Sequence, residues 1–67
     1  MDLLVPVPNL SKILFVNYDG NPVYDFTSNV MGKQVKLSLK GIVPKKGKHV
    51  VEVVTSKGEY LKLEAQI

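Results

Sequence analysis

Apolar residues along this chain fall in short alternating runs, not at the three- to four-residue spacing of an amphipathic helix. β-Branched and aromatic residues cluster between Gly, Pro, Asn and Asp, the signature of strands and turns. The strictest alternation is Gln34-Val35-Lys36-Leu37-Ser38-Leu39-Lys40. It predicts a strand with Val35, Leu37 and Leu39 facing a core while Lys36 and Ser38 face water. Lys12–Tyr18 is apolar on both faces, which predicts a central strand. Val23–Thr27, His49–Thr55 and Tyr60–Ile67 complete a set of five, with Ser28–Lys33 as a polar connection.

The turn residues set the registers. Asp19-Gly20-Asn21-Pro22 supplies side-chain back-bonding, positive φ and a fixed φ in sequence. A loop of two or four residues there places Ile13 and Phe15 on one face with Tyr24 and Phe26, the large side chains expected to fill the core. At the other hairpin, a three-residue loop Ser56-Lys57-Gly58 with a left-handed glycine pairs Val53 with Leu61 and Val51 with Leu63. On the opposite face it sets Glu52 against Lys62. Near the start, Val5-Pro6-Val7-Pro8 can serve only as an edge strand or an extended arm, because proline cannot donate to a ladder on both sides. The pattern thus predicts one all-β domain over residues 1–67, with 1–11 as arm or edge. Its architecture is a small antiparallel β-sandwich or a partly open barrel of five to six strands.

Composition narrows the functions. The chain has 67 residues and no cysteine, which removes disulfides and thiolate metal sites. A single histidine, His49, removes imidazole clusters. A core this small needs good packing or assembly with a partner. No run approaches the ~20 apolar residues that span a bilayer, so no membrane partner is expected. The opening MDLLVPVPNL lacks a basic leader region. The net charge of +3 is the balance of nine basic residues, all lysine, and six acidic ones. Lysine gives a sequence-independent attraction to polyanions, without the forked contacts arginine makes to guanine and phosphate.

The segment KGIVPKKGKH, residues 40–49, approaches a phosphate-binding loop and fails its chemistry. Gly41 and Gly47 enclose five residues where four are needed, His49 stands where a hydroxyl belongs, and a strand follows instead of a helix. His49 has no orienting partner or nucleophile beside it in sequence, so no catalytic residue is assigned and no enzyme activity is expected. Asp19 and Asp25 flank one turn, but turn chemistry accounts for Asp19 without a cation. No cofactor, metal or small-molecule substrate is expected. The basic loop is the one surface feature with binding chemistry: Lys40, Lys45, Lys46 and Lys48 beside His49 offer a polyanion contact. Tyr18 or Tyr60 would be the stacking residue of a single-strand-binding barrel.

From Ile13 onward the order of features resembles a known family. Ile13–Tyr24, Val35–Leu39, Gly47–Val54, Lys57-Gly58 and Tyr60–Leu63 look like the small immunoglobulin-like β domains of secreted bacterial proteins, including the carboxy-terminal sorting domains of the type IX secretion system. The chain departs from that pattern where Lys48-His49 replaces an aromatic and where Asp19-Gly20 is contiguous. The resemblance implies an immunoglobulin-like sandwich, extracellular or in a virion, acting through protein contacts. The expected function is therefore a non-enzymatic interaction or structural module, self-associating or bound to a protein partner through a sheet edge or face. The Val-Pro arm and the Ile67 terminus are the candidate contacts. Two alternatives remain open: a lysine-rich, cytoplasmic barrel binding nucleic acid, and a phage or virus structural protein.

Overall fold

Three features of the folded chain decide the architecture: a bulge, a two-residue turn and a change of sheet. The computed structural model describes residues 1–67 and contains seven strands. They are β1 (Asp2–Val5), β2 (Ile13–Tyr18), β3 (Asn21–Val23), β4 (Phe26–Met31), β5 (Gln34–Leu39), β6 (Lys48–Thr55) and β7 (Tyr60–Gln66). A three-stranded antiparallel sheet runs β1-β5-β4, and a four-stranded one runs β3-β2-β6-β7. The two sheets do not close into a barrel, and the arrangement is that of a small β-sandwich.

Two expectations hold closely. The β6–β7 hairpin pairs Val53 with Leu61, Val51 with Leu63 and Glu52 with Lys62. Gly58 takes a left-handed φ of 78° in the three-residue loop. In β5, Val35, Leu37 and Leu39 are buried, and β1 lies beside them as an edge strand, pairing Leu3 with Leu37 and Val5 with Val35.

The strand count of five to six is corrected to seven, because two stretches divide differently. Residues 23–27 do not form one strand. β3 ends at Val23, the chain crosses at Tyr24-Asp25, and β4 begins at Phe26 in the other sheet. Residues 28–31 then belong to β4, which turns tightly into β5 through Gly32-Lys33, so the polar connection is mostly strand. Its polarity reflects its place at a sheet edge, where five of its six side chains are exposed.

The expected face sharing of Ile13 and Phe15 also fails. Ile13 pairs with Thr55 but Phe15 pairs with Val54, so Leu14 is an extra residue in β2. Such a bulge reverses the in-out alternation beyond it. Ile13 and Val16 point inward and are buried, whereas Phe15 is 67% exposed and Tyr24 88% exposed. The core is consequently aliphatic: Val5, Val7, Ile13, Val16, Val23, Val35, Leu37, Leu39, Val51 and Val53.

Residues 6–11 carry the chain from the first sheet to the second. Val7 and Ser11 are buried, Asn9 and Leu10 take left-handed φ, and the Ser11 hydroxyl donates to the Pro8 carbonyl. The segment is thus part of the sandwich wall, not a free arm.

Candidate functional site

The β2–β3 hairpin ends in a two-residue turn, with Tyr18 opposite Asn21. Asp19 at φ 49° and Gly20 at φ 82° give it the twist that matches a right-handed pair of strands. The left-handed conformation of Asp19 aims its carboxylate at the start of β6. Oδ1 accepts the Val50 N–H at 2.9 Å, and Oδ2 lies 2.7 Å from Nδ1 of His49. The other imidazole nitrogen, Nε2, is 2.7 Å from the carbonyl oxygen of Lys45. Tyr18 stacks on the same ring, with centroids 5.3 Å apart and planes inclined by 21°. One histidine therefore ties three segments together: the hairpin turn, the head of β6 and the basic loop.

The protonation state follows from the partners. A carboxylate and a backbone carbonyl are both acceptors, so His49 satisfies both only when each ring nitrogen carries a proton. Its pKa is raised from the ordinary value of 6.5, first by the bond to Asp19 and then by the Lys45 carbonyl. Asp19 is lowered from 3.8, first by the Val50 N–H and then by His49. Imidazolium has no lone pair to take a proton, and both carboxylate oxygens already have partners. With both ring nitrogens and both carboxylate oxygens engaged, the constellation ties the basic loop to the hairpin turn. The Tyr18 hydroxyl is buried without a hydrogen-bond partner, and that desolvation raises its pKa.

The residues singled out in the sequence differ in their surroundings, and Lys45, His49 and Tyr18 are brought together. Lys45 and Lys46 are exposed on the loop, with no carboxylate in ion-pair range of either ammonium. Lys40 is exposed at the end of β5, its backbone N–H bonded to the Asp25 carbonyl. Lys48 lies 3.7 Å from Glu64, a solvated pair on the outer face of the four-stranded sheet. The His49 side chain is only 13% exposed and committed to its two acceptors. Tyr18 gives one face to His49. Tyr60 is exposed, but its hydroxyl donates to Glu52, so an acid stands beside it. Thus Tyr18 has one face covered by His49, and Tyr60 stands beside an acid.

The Asp19–His49 pairing was not legible in the sequence. It depends on β2 lying beside β6, with Tyr18 opposite Val51, across some thirty residues of chain. The only local signal was an aspartate in a tight turn, which turn chemistry already explains.

The surface carries two further features. Leu14, Phe15, Pro22, Tyr24 and Phe26 line a shallow apolar depression where the chain changes sheets. Each sheet also ends in unpaired strands: β1 and β4 in one, β3 and β7 in the other. Comparison with family models, with curated proteins and with solved structures returns no match.

Proposed function

We propose that this chain is a non-enzymatic interaction or structural module, an immunoglobulin-like sandwich that works through its sheet edges. The observation that carries this reading is the combination of open edges with a core of only ten buried apolar residues. Each edge offers a row of backbone donors and acceptors that a further strand can complete, and a partner strand would add burial that a chain of this size lacks. The exposure of Phe15 and Tyr24 beside an apolar depression adds surface suited to protein contacts. The engagement of both His49 nitrogens supports a non-catalytic role.

One observation favours nucleic acid as a second reading: Lys45 and Lys46 are exposed on a loop and face no acid. The two readings are separated by light scattering over a concentration series, together with titration of a labelled single strand at low and moderate salt. The module reading expects mass that rises with concentration, and no strand binding that depends on the loop lysines. A strictly monomeric chain that binds the strand at low salt, and loses it on raising salt or on Lys45→Glu with Lys46→Glu, overturns it in favour of the second.

A further inference from the structure

The four edges are not equivalent. β3 is three residues long and contains Pro22, and β1 is four residues long and runs into Pro6. β4 is longer, but Phe26–Met31 carries no charge that would select a register. β7 spans seven residues without proline, glycine or a bulge, paired on one side only.

The backbone orientation along β7 can be deduced. Gly47 and Ile67 exchange both of their backbone hydrogen bonds, and the Thr55 N–H donates to the Glu59 carbonyl. Between these two points the β6–β7 register is unbroken. In an antiparallel ladder the inward-bonding residues alternate. Leu61, Leu63 and Ala65 therefore turn their N–H and C=O toward β6. Tyr60, Lys62, Glu64 and Gln66 turn theirs outward, to the open edge.

We propose that the partner of this edge is a second copy of the chain, added antiparallel as β7 against β7 about a two-fold axis through Leu63. This rests on the interaction-module reading and specifies its partner and register. With that centre, Tyr60 faces the second copy's Gln66, and Lys62 faces the second copy's Glu64, each pair repeated by symmetry. All four outward-facing residues are then matched with outward-facing residues, so the ladder is complete. Both charge pairs are of opposite sign on the solvent face. A slip of two residues either way sets Lys62 against Lys62, or Glu64 against Glu64, and like charges directly opposite are destabilising. A slip of one residue sets outward backbone groups against inward ones and loses the ladder. Among these registers, only the Leu63-centred one satisfies both backbone and charge.

The opposite face agrees. Leu61, Leu63 and Ala65 are half-buried at the rim of the sandwich. In this register Leu63 meets its symmetry mate and Leu61 meets the second copy's Ala65, covering apolar surface that β6 alone leaves open. The result is one continuous eight-stranded sheet, two four-stranded halves joined at β7.

The test is a charge swap, read by sedimentation equilibrium on the 67-residue chain, with circular dichroism as a check that each variant folds. Lys62→Glu sets two pairs of acids against each other, and Glu64→Lys two pairs of lysines. Each alone is expected to weaken dimerisation at least about tenfold. An equimolar mixture of the two variants restores every opposite-sign pair and is expected to recover a heterodimer. The double variant Lys62→Glu with Glu64→Lys is expected to recover the homodimer. Amide exchange adds a readout that does not depend on charge. The Lys62 and Glu64 N–H groups should become protected as concentration rises, while the Leu63 N–H is protected throughout. Association of unchanged strength in both single variants, with Lys62 and Glu64 amides unprotected, overturns this register and leaves the module reading standing on another surface. A chain monomeric at every concentration overturns the pairing. The module reading falls with it only if salt-sensitive strand binding through Lys45 and Lys46 also appears.

Discussion

Phe15 is the residue on which sequence pattern and structure disagree most sharply, so its truncation is the most discriminating test of the fold. It is 67% exposed, leaving about a third of its surface buried. Complete burial of a large apolar side chain is worth about 1.5–3 kcal/mol, so Phe15→Ala should cost about 0.5–1 kcal/mol. A phenylalanine truncated in a packed core would cost about 3–5 kcal/mol. The matched control is Leu37, fully buried on the central strand of the three-stranded sheet, between Leu3 and Ser28. Leu37→Ala should cost about 2–5 kcal/mol. A domain of this length has total stability of only about 3–10 kcal/mol, so that loss takes a large share of it. At about 4–8 °C per kcal/mol, Phe15→Ala should lower Tm by only a few degrees and Leu37→Ala by ten or more. Urea and thermal unfolding followed by circular dichroism measure both. Equal costs for the two variants would refute the bulge at Leu14 and the aliphatic core built on it.

Other outcomes follow from the turn and the clamp. His49 has a raised pKa, so its contribution is fully present below 6.5 and is lost as pH rises through the raised folded value. Asp19 has a lowered pKa, so its contribution is present above 3.8 and is lost as pH falls through the lowered folded value. The urea midpoint should therefore decline on the alkaline side of that window, and His49→Gln should flatten the decline; an unchanged profile would show that the clamp does not couple to folding. Tyr18→Phe removes a buried hydroxyl without a partner, so it should be neutral or stabilising in the same assay, and clear destabilisation would mean the hydroxyl has a partner. Gly58→Ala forces a side chain into a left-handed turn at φ 78° and should cost about 1 kcal/mol or more, measured as a lower urea midpoint.

What was legible in the sequence was local. The β6–β7 register followed from a three-residue loop and a two-residue alternation, both properties of neighbouring residues. The β5 face followed from alternation alone. What escaped depended on partners far along the chain. Nothing near Leu14 marks it as an extra residue, because a bulge is defined by the strand opposite, here Val54 and Thr55. The sheet change at Tyr24-Asp25 escaped for a related reason, since Val23 and Phe26 both suit a strand and only their different partners separate them. In the candidate site, the loop lysines were visible as composition. The occupation of His49 by Asp19 and Lys45 was not, and neither was the outward orientation of alternate β7 backbone groups.

The pairing order has a kinetic consequence. β1 pairs with β5, bringing Asp2 to Ser38, while β2 pairs with β6, bringing Ile13 to Thr55. These two long closures overlap along the chain, so neither can be completed as a local event before the other's span begins. Loops of that length must be closed before their contacts repay the entropy, which places folding in the slow, millisecond-to-second regime of non-local β proteins. During synthesis β1 emerges before the other six strands and waits for β5, whose paired residues lie 30 to 36 positions further along. Until β5 arrives, Leu3 and Val5, buried or half-buried in the finished sandwich, are open to any other strand in reach.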